Sequence, residues 1–115
     1  MSERNYIVYL KDILASSQKI LRFVKSKSYE EFILDEMLTD AVVRNLEIIG
    51  EAVKHIPSSV RRKYRDMDWK KIAGLRDILI HEYFRVDYEI LWDIVTNKIP
   101  TLRTQIRSVL EREKP

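Results

Sequence analysis

The sequence predicts an all-α fold, an up-and-down four-helix bundle with one short extra helix, and three observations carry this prediction. Only two Gly and three Pro occur in 115 residues, too few turn-forming residues for the many short strands of a sandwich or barrel. Apolar residues make up 45% of the chain and charged residues 34%, a composition typical of amphipathic helices. Apolar residues also recur at helical spacing. The length allows one domain, residues 1–115.

Two helices are predicted in the first half of the chain. The first spans about residues 4–26, where apolar side chains recur at helical spacing. Ser28 can N-cap the second helix, because Glu31 at its third position completes a capping box. An apolar stripe then continues until Pro57, so we expect one uninterrupted helix between Ser28 and Pro57.

The second half of the chain predicts a short helix and two long ones. Residues 60–65 have room for a turn or two of helix before Asp68, a good N-cap for a third long helix that reaches Phe84. Asp87 caps a last helix, in which Pro100 removes one backbone hydrogen bond and is expected to introduce a kink. The short connections imply antiparallel neighbours and hence a bundle.

The distribution of apolar residues also predicts a homodimer. The second and fourth helices exceed the third in length and carry more apolar surface than one bundle can cover. The residues that form this surplus are Tyr6, Tyr9, Trp92 and the stripe from Leu102 to Leu110. Because large apolar patches are normally buried against a partner, a second copy of the chain is the simplest cover.

Several classes of protein are disfavoured. The chain has no Cys, which excludes a disulfide framework, a thiolate metal site and a Cys nucleophile and agrees with a reducing cytoplasm. No window approaches the ~18 consecutive apolar residues of a membrane span, and the N-terminus does not resemble a secretory signal. There is no Gly-rich phosphate loop and no Glu-x-x-His pair for a di-iron bundle. We therefore expect a cytoplasmic protein with no membrane partner, no metal and no cofactor.

The net charge of +3 is unevenly distributed along the chain. Between Lys54 and Arg85, nine basic residues face four acidic ones, which gives +5, whereas the remaining residues carry −2. A basic segment on a mildly acidic body suits a phosphate-bearing partner, because a polyanion releases counterions to clustered Lys and Arg. A solvated helix face would carry the same charges, so the segment by itself leaves both interpretations open.

Two histidines are available for proton transfer. His55 falls in the last turn of the second helix, where a cationic ring meets the negative end of the helix dipole, and we assign it a structural role. His81 lies in the basic segment, five residues after Arg76 and two before Tyr83. At ~100° per residue, Arg76 and Tyr83 fall within about 20° of each other on a helix, but Arg76 and His81 lie about 140° apart. The latter two can therefore meet only across a cleft, at an unwound helix end or in a dimer groove.

These residue types suit cleavage of RNA without a metal. Attack of a 2′-hydroxyl on the adjacent phosphorus needs a proton acceptor and donor near neutral pH, and a histidine such as His81 ordinarily titrates near pH ~6.5. The reaction also needs a permanent cation where charge develops, and the guanidinium of Arg76 can grip phosphate oxygens in a bidentate fork. Tyr83 can hydrogen-bond a phosphate or stack on a base.

The stretch Arg76-x4-His81-x-Tyr83 resembles the R-x4-H-x-Y signature of the HEPN superfamily, in the version found in HepT-like toxins. The similarity covers about positions 5–110. Outside the motif, it is carried by Arg44…Glu47-Ile48-Ile49-Gly50-Glu51-Ala52 in the second helix and by Trp69, Ile72, Gly74, Leu75, Asp77, Val86, Asp87 and Trp92 around the motif.

The resemblance implies a small helical, metal-independent endoribonuclease that dimerises around a shared cleft and acts as the toxin of a toxin–antitoxin pair. It implies catalytic roles for Arg76 and His81, and it makes Tyr83 the residue to which a minimal nucleotidyltransferase antitoxin transfers AMP. The residues expected to support the site or bind RNA are Asp77, Arg44, Glu47 and Arg85.

Two other functions stay open. The same fold could bind nucleotide or RNA without cutting it, or it could be a helical interaction module whose basic segment docks on an acidic protein. On the second helix, Arg44, Glu47 and Glu51 are spaced i, i+3 and i+7. They could form an ion-pair stripe within the helix or brace the active-site groove from beside it.

Overall fold

The computed structural model describes residues 5–81 and 87–114, with residue 5 and residues 76–81 described as backbone only. These two ranges contain helices and no strand, which confirms the predicted all-α class. The elements are α1 (Asn5–Val24), α2 (Tyr29–Leu34), α3 (Glu36–Val53), α4 (Ser58–Lys63), α5 (Trp69–His81), α6 (Tyr88–Asp93), a π-helical segment (Ile94–Lys98) and α7 (Ile99–Glu113).

The predicted second helix is in fact two helices, so the expectation of one uninterrupted helix is wrong. The capping box is confirmed: Ser28 Oγ accepts from the Glu31 N–H at 3.1 Å, and Glu31 Oε1 accepts from the Ser28 N–H at 2.9 Å. The break lies at Asp35, whose backbone is extended (φ −102°, ψ 93°) and whose Oδ1 accepts from the Leu38 N–H at 3.0 Å. A short carboxylate stabilises a helix start better than a helix interior, which is why α3 begins anew there.

Pro100 also acts differently from the predicted kink in one continuous helix. It lies in the first turn of α7, directly after the π-helical segment 94–98. The N–H of Ile99 donates to the carbonyl oxygen of Ile94, five residues earlier. Proline has no N–H, and its ring crowds the carbonyl four residues before it, so the wider π turn accommodates the residue.

The predicted N-caps of the later helices are confirmed. Asp68 Oδ1 accepts from the Lys71 N–H at 3.1 Å before α5, and Asp87 Oδ1 accepts from the Ile90 N–H at 3.2 Å in α6. Helix α5 is described up to His81. The predicted continuation to Phe84 lies outside the described residues.

The core forms where α3 packs against α1 and α5, and where α7 packs against α1. Its fully buried side chains include Leu10, Ile13, Leu46, Ile49 and Ile106. Since only the short α4 connects α3 to α5 and these two helices pack along one another, α5 runs back toward the start of α3. Helix α5 therefore runs in the direction of the α2–α3 corner.

The apolar surface that predicted a second copy is largely covered within the chain itself. Leu102 and Leu110 are each only 5% exposed, and the Trp92 ring packs on Phe32 with ring centroids 5.0 Å apart. The argument for a homodimer from this surplus is therefore wrong, because α1 and α2 already cover it. Among the side chains that the structure describes, the large apolar ones that remain exposed are Val8, Leu34, Met37, Tyr88 and Ile90.

Candidate active site

Helix α5 carries the first part of the motif. It runs from Trp69 to His81, so positions 76 and 81 lie in its last two turns, with Asp77 between them. At ~100° per residue the two backbone positions are about 140° apart around the helix axis. The expectation that Arg76 and His81 can meet only across a cleft, at an unwound helix end or in a dimer groove stays a prediction. Tyr83 and Arg85 lie outside the described residues.

The start of α5 is fixed to the preceding segment by its first residue. The indole N–H of Trp69 donates to the backbone carbonyl oxygen of Tyr64 at 3.0 Å. The Trp69 side chain is buried in the core, together with Met67. A buried aromatic ring with its N–H satisfied holds the helix in one rotation about its axis. The rotation of α5 in turn sets the direction of every later position on it.

Helix α3 carries the candidate supporting residues beside α5. Arg44 is exposed and Glu47 is half-buried. No ion pair joins Arg44 to Glu47 or to Glu51 among the described residues, so the intrahelical stripe is not formed there. Glu51 instead lies 3.9 Å from Lys54 Nζ and 4.0 Å from His55 Nε2. Support of the motif by Arg44 and Glu47 stays a prediction.

His55 has structural contacts, in keeping with the role assigned to it. Its ring stacks on Tyr9 of α1, with ring centroids 4.4 Å apart and an interplanar angle of 12°. This contact joins the end of α3 to the beginning of α1. His55 is thus at the opposite end of α3 from the corner toward which α5 runs.

Asn45, next to Arg44, is a buried polar residue that sequence reasoning missed. It is 6% exposed, and its Nδ2 donates to the Ala41 carbonyl oxygen at 2.8 Å. Its Oδ1 is buried without a hydrogen-bond partner in the described part of the chain. The available signal was an amide at a position that the apolar stripe of α3 assigns to the core, beside Val42 and Leu46.

A second feature is a groove between α4 and the start of α5, here called the basic groove, with a volume of about 840 Å³. Its lining includes four cationic residues, here called the groove cations: Arg61, Arg62, Arg65 and Lys70. The lining also includes Met67, Trp69 and Ala73. The sequence identified this segment as basic but gave no indication that its cations surround a groove.

Glu113 at the end of α7 holds α1, α4 and α7 together. Its Oε1 accepts from Tyr6 Oη at 2.8 Å, and its Oε2 accepts from Lys63 Nζ at 2.8 Å and from Tyr64 Oη at 2.5 Å. The hydrogen bonds from Lys63 and Tyr64 lower the pKa of Glu113 to about 2. The same contacts raise the pKa of Lys63, whereas burial is the main cause of the raised pKa of Tyr64.

The described side chains, those of residues 6–75 and 87–114, form no metal site. No three His, Cys, Asp or Glu side chains among them are grouped so that they could hold a metal ion. None of the helices described there is long and apolar enough to cross a membrane.

Comparison with known proteins assigns the class. Residues 13–109 match the family described as Ribonuclease HepT-like. "Putative RNase TTE0752" of Caldanaerobacter subterraneus subsp. tengcongensis is 48% identical over 106 residues, which cover 92% of this chain and 95% of that protein. "Probable ribonuclease HepT" of Thermococcus cleftensis is 41% identical over 101 residues, 88% of this chain and 92% of that protein. No solved structure matches the chain.

The helical fold and these matches define an enzyme of the ribonuclease class. The chain belongs to the HepT-like ribonuclease family, which confirms the family resemblance found in the sequence. The matched range extends from α1 into α7 and includes all three motif positions.

Proposed function

We propose that this protein is a metal-independent endoribonuclease in which Arg76 and His81 act on the scissile phosphate of RNA. One observation carries the proposal: both positions of the R-x4-H pair lie in the last two turns of α5, a helix packed against α3. Membership of the HepT-like ribonuclease family supports it. The substrate in this proposal is RNA and not DNA, because only RNA carries the 2′-hydroxyl that serves as the nucleophile.

The two side chains divide the chemistry between proton transfer and charge stabilisation. His81 accepts the proton of the 2′-hydroxyl as that oxygen bonds to phosphorus, and the protonated His81 then gives a proton to the departing 5′ oxygen. The bond between phosphorus and that 5′ oxygen breaks, which leaves a 2′,3′-cyclic phosphate on one fragment and a 5′-hydroxyl on the other. The guanidinium of Arg76 stabilises the negative charge that develops on the phosphate oxygens.

The active unit in this proposal is a homodimer. Positions 76 and 81 lie about 140° apart around α5, so two copies of the helix side by side can complete a cleft that one copy leaves open. Leu34 and Met37 at the α2–α3 corner are 83% and 84% exposed, and α5 runs back toward this corner. Exposed apolar side chains of this size favour burial against a partner, which supports a dimer contact beside the motif.

We further propose that the protein is the toxin of a toxin–antitoxin pair in the cytoplasm and that its partner is a nucleotidyltransferase. The phenol oxygen of Tyr83 attacks the α-phosphorus of ATP, and pyrophosphate leaves. The resulting AMP group places a negative phosphate and a bulky nucleoside two positions beyond His81. Arg76 then pairs with the adduct and like charge repels RNA, as other charge-adding modifications do. The R-x4-H-x-Y spacing supports this proposal.

Incubation of the purified protein with single-stranded RNA in excess chelator tests the proposed activity. We expect internal cuts by the wild type and a loss of at least ~100-fold in Arg76→Ala and in His81→Ala, with the helical circular dichroism retained. His55→Ala is the matched control, because this histidine stacks on Tyr9 at the other end of α3. Full activity in both motif variants would overturn the proposal. RNA binding without cleavage by the wild type would favour a binding module instead.

A further inference from the structure

The groove cations lack ionic partners in the described part of the chain. Their neighbours are neutralised: Lys63 pairs with Glu113 at 2.8 Å, and Lys71 lies 3.8 Å from Asp68. Asp68 is further committed to the N-cap of α5, where it accepts from the Lys71 N–H. The other acidic residue of the lining, Asp66, forms no ion pair with the groove cations. The basic groove therefore holds four cations that its own carboxylates do not neutralise.

One of these cations is partly withdrawn from solvent. The Nε atom of Arg61 is buried and has no hydrogen-bond acceptor among the described residues. A buried donor without an acceptor destabilises the folded chain unless a ligand or a water molecule accepts its hydrogen bond. The groove cations without ionic partners and the unsatisfied Nε donor of Arg61 both favour an anionic acceptor in the groove.

The apolar residues at the floor of the groove indicate which class of anion fits there. Met67 and Trp69 are 4% and 7% exposed, and Ala73 completes the apolar part of the lining. The Trp69 N–H is already used by the Tyr64 carbonyl oxygen, so it cannot hydrogen-bond a base. A cationic rim over an apolar floor suits a sugar–phosphate strand, which presents regularly spaced phosphates and apolar sugar and base faces.

The register of α5 connects this groove to the catalytic motif. The residues of α5 that line the groove are Trp69, Lys70 and Ala73. Position 76 follows Trp69 by seven residues and therefore lies within about 20° of it around the helix axis. Position 81 follows Lys70 by eleven residues and lies within about 20° of Lys70 in the same way. Arg76 and His81 therefore flank the continuation of the helix face that lines the groove.

The distance between the two sites fits a short stretch of nucleic acid. Along the helix axis, Lys70 and His81 are about 16 Å apart at ~1.5 Å per residue. A stacked strand advances roughly 3.4 Å per nucleotide. The interval between the groove and the motif therefore corresponds to about five nucleotides.

We propose that the basic groove binds the phosphate backbone of the RNA substrate several nucleotides away from the cleaved bond. This inference rests on the proposed ribonuclease function and adds an extended substrate-binding surface to it. The groove cations hold successive phosphates, and α5 guides the strand along one face to positions 76 and 81. Recognition at this surface is independent of base sequence, because every nucleotide presents the same phosphate and an apolar sugar and base face.

A charge-matched pair of variants tests the role of the groove. The groove variant is R62Q/R65Q/K70Q, which removes three exposed groove cations and leaves the partly buried Arg61 in place. The control variant is K11Q/K19Q/R107Q, which removes three exposed cations of α1 and α7 that do not line the groove. Both variants have the same net charge, so a general loss of attraction to polyanions affects them equally.

The measurement is the dissociation constant for uncleavable 2′-O-methyl RNAs of about 4 and about 16 nucleotides over a range of salt concentrations. We expect the groove variant to bind the longer RNA at least about tenfold more weakly than the control and to reduce the slope of log K against log salt by about 2, since each lost single-strand phosphate contact accounts for ~0.7. We also expect its preference for the longer RNA to shrink.

The outcomes separate this inference from the proposed activity. If the groove variant matches the control in affinity, salt slope and length preference, the inference is wrong, whether or not the wild type cuts RNA. If the wild type binds RNA through the groove but does not cut it, the binding of the RNA backbone by the groove stands, and the ribonuclease proposal, with the placement relative to a cleaved bond, fails. If the groove variant loses binding to an acidic protein but keeps its RNA binding, the groove is a protein-docking surface and the inference is wrong.

Discussion

The side chains of Tyr6 and Glu113, 107 positions apart in the sequence, meet in a hydrogen bond of 2.8 Å. The same carboxylate accepts from Lys63 and Tyr64, which directly precede Arg65 of the basic groove. One ionised group thus joins the start of α1, the end of α4 and the end of α7. The position of α4, and with it the shape of the groove, depends on the charge of Glu113.

This arrangement predicts that Glu113→Gln lowers the free energy of unfolding at neutral pH by about 2 kcal/mol, with allowance for solvent screening. In the wild type, Glu113 has a pKa lowered from 4.5 to about 2. Because the folded-state pKa is the lower one, the stabilisation is fully present above pH 4.5 and is lost as the pH falls toward about 2. Urea denaturation across this pH interval measures the effect.

Glu111→Gln is the matched control for that experiment, since Glu111 is an exposed carboxylate two residues earlier on α7. We expect the stability of Glu111→Gln to follow the wild-type pH profile and that of Glu113→Gln to fall less steeply with acid. Equal profiles for all three proteins would show that the cluster contributes nothing to the pH dependence.

The exposed corner between α2 and α3 predicts the dimer contact. L34E/M37E places two charges where two apolar side chains are 83% and 84% exposed. We expect the wild type to sediment as a dimer at micromolar concentration, and this variant to sediment as a monomer and to lose RNA cleavage while it stays folded. Val8→Glu, at another exposed apolar position, should leave the dimer intact. A wild type that sediments as a monomer and still cuts RNA would show that one chain completes the site.

The role proposed for Tyr83 predicts that AMP is attached to this residue after co-expression with a cognate nucleotidyltransferase. We expect intact-mass measurement to show the addition of one AMP group to the wild type, no addition to Tyr83→Phe, and loss of ribonuclease activity in the modified fraction only. Tyr88→Phe is the control, because Tyr88 is an exposed tyrosine close by in sequence. An AMP-sized gain that persists in Tyr83→Phe would exclude Tyr83 as the acceptor.

Much of the fold could be predicted from the sequence, because its main signals are local. The periodicity of the apolar residues predicted the helices, and the capping residues Ser28, Asp68 and Asp87 marked helix starts correctly. The break at Asp35 was missed, because the apolar stripe continues across it and the competition between a capped break and a continuous helix depends on packing. The π-helical segment before Pro100 was missed for a similar reason, since a kink and a wide turn can both accommodate a proline, which has no N–H.

The surplus of apolar surface shows where pattern reasoning reached its limit. Leu102 and Trp92 are apolar in any arrangement of the helices, but only the packing of α7 on α1 and of α2 on Trp92 shows that they are covered. The pattern identifies which side chains need burial, and the tertiary structure identifies what buries them. That Leu34 and Met37 stay exposed can be seen only in the tertiary structure.

The candidate site stays a prediction from the types and spacing of its residues. Arg76 and His81 were identified as a cation and a proton-transfer group at a spacing that cannot bring them together on one helix. The basic groove was not predicted, because its cations come from two elements joined at a corner and charge counts along the chain do not show which cations are paired. Lys63, for example, contributes to the same basic run as Arg62 but is neutralised by Glu113.

We propose that Arg76 and His81 cleave RNA through its own 2′-hydroxyl, and the chemical nature of the new RNA ends distinguishes this reaction from others. We expect the wild type, in excess chelator, to release fragments that end in a 2′,3′-cyclic phosphate, and we expect RNA with a 2′-deoxy substitution at the cleaved position to stay intact there. His81→Ala should yield no such ends, whereas His55→Ala should yield them at the wild-type rate. Fragments with 3′-hydroxyl ends, or undiminished cleavage by His81→Ala, would contradict the account.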